Sequence, residues 1–222
     1  MLESPKRVLF SLDSEPVRFL RHRDAKLSGL IEAVGEITLT LEGPPFTALV
    51  SSIVSQQISG KAAESIWRKL LSTCGEMQPA RIASMDDETL RAAGLSRPKV
   101  AYLRDLTRRV MSDEIDLDTL PALPDDQIIE ALVAVHGIGV WTAQMFLIFC
   151  LGRPDVFAPK DLGLRAGMKW LYSLPDLPLE KESVPIAENW RPHRTTASLY
   201  LWQAVTRGLT KAAGSVASPV ED

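Results

Sequence analysis

Cysteine and histidine are scarce in this chain: 222 residues hold two Cys and three His. Cys74 and Cys150 stand far apart, each inside an apolar helical pattern, with no CxxC pair and no His cluster beside them. That distribution argues against a disulfide framework and against a zinc or iron–sulfur ligand set, and it fits a reducing compartment. Long apolar runs are missing as well, so no segment reads as a bilayer-spanning helix. The start, Met1-Leu2-Glu3-Ser4-Pro5-Lys6-Arg7, lacks the charged-then-apolar plan of a secretory leader. The expectation is a cytoplasmic protein, or a nuclear one in a eukaryote, with no membrane partner. Positive charge is not in excess either: the formal net charge is −3, whereas a basic balance is the usual footprint of a nucleic-acid binder. The acidic residues bunch in Asp86-Asp87-Glu88, Asp113-Glu114, Asp125-Asp126 and Glu180-Lys181-Glu182, which leaves room for a basic face elsewhere.

What is present is an ordinary globular composition, 45% hydrophobic and 24% charged, with enough chain for one good core or two small ones. Apolar residues recur mostly at helical spacing. Leu27, Leu30, Ile31 and Val34 form one stripe, stopped at Gly35, and Phe46, Leu49, Val50, Ile53, Val54 and Ile58 form another. A helix from about Lys61 follows, then two short ones from Pro79 and Asp86, then a longer one opened by Ser96 with Val100, Leu103, Leu106 and Val110 inward. Ile37, Leu39 and Leu41 alternate like a strand, but with no second strand run they read as an extended connection. Residues 1–23 are mixed, and 173–189 are Pro-rich and irregular, with room for one short helix. Pro192 suits the first turn of a last helix carrying Leu199, Trp202, Val205 and Leu209, and the tail from Gly214 to Asp222 should fray. The fold class is therefore all-α. The expected organisation is two helical subdomains with a cleft between them: residues 1–45 plus 152–222, and 46–151.

The most informative stretch is Val135-His136-Gly137-Ile138-Gly139-Val140-Trp141-Thr142-Ala143. It reads as a glycine turn between two apolar helices, Ile128 to Val135 and Trp141 to Leu151, so the helix-hairpin-helix spans about 128–151. Two glycines allow positive φ and close backbone approach, while Ile138 can point into the core. The amides of such a turn, at the start of a helix, can hold a phosphate without any Lys or Arg. A tight helix–helix turn that needs glycine only for packing fits the same residues equally well. Downstream, Pro159 limits where the next helix, Leu162 to Leu171, can begin, and Asp161 stands at its N-cap position.

The hairpin, the Val156-Phe157-Ala158-Pro159 run before Asp161, Val54-Ser55-Gln56-Gln57-Ile58-Ser59 with Ala62-Ala63, Ala93-Gly94-Leu95-Ser96 with Lys99 and Leu103, and Trp190-Arg191-Pro192-His193-Arg194 together resemble the helix-hairpin-helix (HhH-GPD) DNA glycosylases. The likeness is to the 3-methyladenine DNA glycosylase II, or alkylbase DNA glycosidase, branch, and it covers about residues 25–210. The short segment before Asp24 leaves no room for the N-terminal β-domain of the larger relatives. The resemblance implies that Asp161 is the catalytic carboxylate. It also implies that Gln57 wedges into the stack vacated by a flipped base, that Trp141, Met145, Leu162 and His193 line the base pocket, and that Gly137, Gly139, Val140, Thr142 and Lys160 bind DNA phosphates. Relatives that also cleave the strand carry a lysine where this chain has Trp141, and some hold an iron–sulfur cluster in a cysteine-rich loop that has no counterpart after Asp161.

The activity so implied is monofunctional hydrolysis: an alkylated purine is flipped from duplex DNA and released, leaving an abasic site for base excision repair. No cofactor and no certain metal site is expected, although relatives allow a monovalent cation on the hairpin carbonyls. The partner is double-stranded DNA containing alkylated bases, bound by a monomer. Two departures stand out. Met145, Leu162 and His193 replace pocket aromatics of some relatives, and Lys160 precedes the Asp. Two other classes fit the bare helical pattern, a helix-hairpin-helix DNA-binding protein without catalysis and a helical protein-interaction domain.

Overall fold

The structure, a computed structural model, describes residues 6–211. The tail expected to fray lies outside the described residues. In chain order the elements are β1 (Arg7–Phe10), α1 (Glu15–Arg23), α2 (Ala25–Val34), β2 (Ile37–Thr40), α3 (Pro45–Ser55), α4 (Gly60–Cys74), α5 (Pro79–Ser84), α6 (Asp87–Ala92), α7 (Arg97–Met111), α8 (Asp125–Val133), α9 (Val140–Phe149), α10 (Leu162–Tyr172), α11 (Glu180–Glu188) and α12 (Arg194–Thr206). Among the described residues the protein is all-α apart from one two-stranded antiparallel ribbon. It divides into two compact units: one runs to Leu41 and resumes at Gly152, and the other is Glu42–Leu151.

The ribbon corrects the reading of Ile37 to Leu41 as a mere connection. β2 pairs with β1 in the register Val8↔Leu39 and Phe10↔Ile37. Phe10, Ile37 and Leu39 are buried, while Leu9 on the other face is 57% exposed, as alternation across a strand requires. In the same unit α2, α10 and α12 pack together around Leu27, Leu30, Ile31, Leu164, Met168 and Leu201. α10 and α12 approach closely at Gly167, where an added Cβ would lie 3.2 Å from Leu201. Asp24 caps α2 by accepting from the Leu27 amide at 3.0 Å, and it also accepts from the Tyr172 hydroxyl and, at 3.4 Å, from Nε1 of the fully buried Trp190. Burial, with the Asp24 charge next to it, pushes the Tyr172 hydroxyl far up, so it stays a donor.

The Trp190–Arg194 segment differs from expectation in its details. Pro192 follows a cis peptide bond and lies ahead of the last helix rather than in its first turn; His193 is the N-cap. The expected short helix in 173–189 is α11, which contains Pro185. Arg194 reaches Asp155 through Nε at 2.7 Å and Nη2 at 3.1 Å. Thr195 Oγ1 donates to the Arg153 carbonyl at 2.6 Å and accepts from the Val156 amide at 3.0 Å. The start of α12 thereby pins the loop that leads to Asp161.

In the other unit α3 is the buried centre, with Phe46, Leu49, Val50, Ile53 and Val54 all enclosed. It packs against α4, α7 and α9. The helix stops at Ser55, three residues short of Ile58, which is 38% exposed and outside the stripe it was assigned to. α8 carries Asp125 and Asp126 in its first turn, where the helix dipole favours negative charge.

Candidate active site and nucleic-acid interface

The hairpin between α8 and α9 is built on Ile138, 4% exposed, with Leu132 and Val135 before it also buried. Its amide donates to the Val135 carbonyl at 3.0 Å. The two glycines do different work. Gly137 has φ 88°, and a Cβ there would fall 2.3 Å from the Tyr102 ring of α7, so this position admits glycine alone. Gly139 has φ −98° and nothing within 4 Å of its would-be Cβ. Of the two glycines, both of which allow positive φ, only Gly137 uses it. Packing does not explain Gly139, but open space beside the backbone is what a closely approaching ligand requires.

α7 also holds the turn through Asp105, whose Oδ2 accepts from the His136 amide at 2.8 Å. The His136 ring stands edge-on to Tyr102 at 4.8 Å between centroids. Burial by itself would raise the Asp105 carboxyl, yet the His136 amide and the Arg108 and Arg109 guanidiniums bring it down to about 2. At the start of α9, Gly139 is the N-cap and has no side chain with which to close the helix. Val140 and Trp141 are each 42% exposed, whereas Thr142 is buried, 7% exposed. Met145 is half-buried one turn further on.

Gln57 lies just past α3, exposed, with φ 55°. It shares a recess of about 480 Å³ with Lys99, Tyr102, Gly137 and Trp141. The expected wedge and the hairpin thus border one hollow of this unit.

Asp161 caps α10: its Oδ1 accepts from the Leu164 amide at 2.8 Å. The same oxygen accepts from Trp202 Nε1 of α12 at 3.0 Å. The carboxylate is half-buried, so it is held yet reachable. Gly163 lies beneath this contact, and a Cβ there would come within 3.1 Å of Oδ1 and 3.3 Å of the Trp202 ring. Lys160 is exposed, and Leu162, directly after the carboxylate, is 66% exposed. His193 sits deeper, 8% exposed, with Nε2 3.1 Å from Glu15 Oε1 and its ring edge-on to Phe19 at 5.1 Å. Those contacts tie it to α1.

Sequence reasoning missed Trp202, Gly163, Tyr102, Asp105 and Gln56. Trp202 was read as core, and only its place 41 residues beyond Asp161 on a packed helix gives it a role. Among the described residues no cluster of three or more His, Cys, Asp and Glu could hold a metal, and no helix is long and apolar enough to cross a membrane.

With this geometry in hand, comparison with known proteins is decisive at the level of family. The HhH-GPD superfamily base excision DNA repair protein family matches residues 50–192. The chain belongs to the HhH-GPD superfamily. Among its relatives is the DNA-3-methyladenine glycosylase 1 of Schizosaccharomyces pombe, 35% identical over 72% of this chain and 72% of that protein. Among solved structures, a DNA-3-methyladenine glycosidase of Bacillus halodurans superposes with a TM-score of 0.86 at 38% identity, covering 93% of this chain and 96% of the other. The S. pombe Mag1 glycosylase, in complex with abasic DNA, gives a TM-score of 0.79 at 32% identity over 87% and 97%.

Proposed function

We propose that this HhH-GPD protein is a monofunctional DNA glycosylase that flips alkylated purines of the 3-methyladenine type from duplex DNA and hydrolyses their N-glycosidic bond in base excision repair. The observation that carries the reading is the Asp161 carboxylate, capped onto α10 and clasped by the Trp202 indole while still half-exposed. As the C1′–N bond breaks, the base leaves with the bonding pair and the deoxyribose becomes positively charged. A fixed carboxylate stabilises that charge and can take the proton of the water that adds at C1′. An O-glycosidase needs a second carboxyl group to protonate its leaving oxygen. An alkylated purine is already cationic and departs neutral, so one carboxylate is enough.

The other roles follow the same reading. The open N-terminus of α9, with Gly139 leaving room for close approach, binds a backbone phosphate, and this lets a chain of net charge −3 hold DNA. Gly137 shapes the hairpin, the exposed Val140 and the backbone of Thr142 belong to that grip, and Lys160 contacts a phosphate of its own. Gln57 fills the gap left by the flipped nucleotide. Trp141 presents a π face to the cationic base, with Met145 one turn further along the same helix. No amine stands at the Trp141 position to form a Schiff base, so the strand is left intact.

The test is a set of duplexes, each with one alkylated purine. Free base and alkali-labile abasic sites, with no strand cleavage before alkali, are expected. Absence of free base from every lesion, with DNA binding intact, would instead mark a binding-only helix-hairpin-helix protein.

A further inference from the structure

Gln57 needs support that its own side chain cannot supply. It is exposed and holds φ 55°, a left-handed conformation that non-glycine residues adopt only where the surroundings enforce it. The supports come from the residues on either side of the helix end. Gln56 Nε2 donates to the Gly137 carbonyl at 2.9 Å, so the loop after α3 is tied by a side-chain amide to the first glycine of the hairpin. Lys99 of α7, 9% exposed, donates from Nζ to the Val54 carbonyl at 2.6 Å. A cation there suits the negative end of the α3 dipole. Burial lowers the Lys99 ammonium from its ordinary value, so the group has been taken out of water to make this contact. Gly137, the acceptor for Gln56, is itself pressed against Tyr102 and cannot drift. The wedge loop is thus fastened at two carbonyls, that of Gly137 by Gln56 and that of Val54 by Lys99.

We infer that Gln56, by hydrogen-bonding the Gly137 carbonyl, is a positioning residue that presets the Gln57 loop against the phosphate-gripping hairpin, with Lys99 fixing the end of α3. This rests on the reading of Gln57 as the wedge. Engagement of a phosphate by the hairpin then aims Gln57 at the base stack without reordering the loop. The contribution falls on flipping, not on the bond-breaking step, so it vanishes for a base that is already unstacked.

The test compares single-turnover base release from a fully paired duplex and from a duplex with the same lesion in a bulge. Gln56→Met keeps the size of the side chain and removes the donor. It should slow release from the paired duplex about tenfold, the scale of one lost hydrogen bond in a rate-determining step. On the bulged lesion it should stay within about twofold of wild type, with the unfolding midpoint lowered only by the little that one lost hydrogen bond costs. Gln56→Glu, which sets an acceptor against the carbonyl, should give the same split. Gln57→Ala is run alongside and should lose at least as much, with the same rescue. If Gln57→Ala falls but Gln56→Met does not, the positioning role is overturned and the wedge stands. Wild-type behaviour of Gln57→Ala overturns the wedge and the inference with it. Equal losses of Gln56→Met on paired and bulged lesions also overturn the inference.

Discussion

Two helices begin at the proposed functional positions of this protein, and they begin in opposite ways. α9 opens on Gly139, which has no side chain to cap it and open space beside it. α10 opens on Asp161, whose own carboxylate takes the Leu164 amide. An uncapped N-terminus offers its donors to an anion from outside, and a capped one has brought its own anion. On the proposed function, the same element of secondary structure serves as a phosphate grip in one unit and as a mount for the catalytic carboxylate in the other. The supports differ accordingly. The hairpin is held by neighbours that touch its backbone, Tyr102 at Gly137 and Asp105 at the His136 amide. Asp161 is held at its own carboxylate, where Trp202 donates to Oδ1.

That contrast can be broken at four places, in descending order of effect. Gly137→Ala forces a methyl into the Tyr102 ring at a positive φ and should destabilise the protein by about 3 kcal/mol, seen as a lowered denaturant midpoint and a parallel loss of DNA affinity. Asp105→Asn should cost about 2 kcal/mol at neutral pH. Because the folded carboxyl is depressed to about 2 from an ordinary 3.8, its contribution is complete above about pH 4 and is lost as the pH falls towards 2. The stability gap between wild type and Asp105→Asn should therefore close over that window, and a gap that persists at pH 2 would mean the carboxylate is not its source. Trp202→Phe leaves the hairpin alone and removes the donor to Asp161. It should slow base release about tenfold with DNA affinity unchanged, measured by single-turnover kinetics beside equilibrium binding. Gly139→Ala should be the mildest for the fold, within about 1 kcal/mol of wild type, yet it should weaken DNA binding severalfold. A Gly139→Ala protein with undiminished DNA affinity would remove the distinction between the two glycines.

How far the sequence could be read depended on the range of the interactions. Helices with a wide apolar stripe, such as α3 and α7, show themselves through spacing alone, because the pattern is local. The β1–β2 ribbon does not: each strand has four residues, and the partners lie some thirty positions apart, so neither run identifies itself without the other. Asp161 could be placed at a helix start from Pro159 and the apolar run after it, and its chemistry came from resemblance. The hydrogen bond from Trp202 could not be seen, since it depends on α10 and α12 packing as closely as Gly167 permits. The same holds for Gly137. Both its turn and its glycine were legible, but the reason that no other residue fits is a tyrosine thirty-five positions upstream on α7. Pro192 misled because a proline suits the first turn of a helix, whereas here it precedes His193, the residue that begins α12.

The central claim is that Asp161 does the chemistry and does not merely cap α10, and Asp161→Asn separates these roles. Asparagine is as good an N-cap as aspartate, and its carbonyl oxygen can still accept from Leu164 and Trp202, so the fold and DNA binding should survive. The decisive measurement is single-turnover release of base by this variant from a duplex holding one alkylated purine, with affinity for abasic DNA measured on the same preparation. The account predicts affinity near wild type and a loss of base release of about a thousandfold or more. Release at the wild-type rate would contradict it.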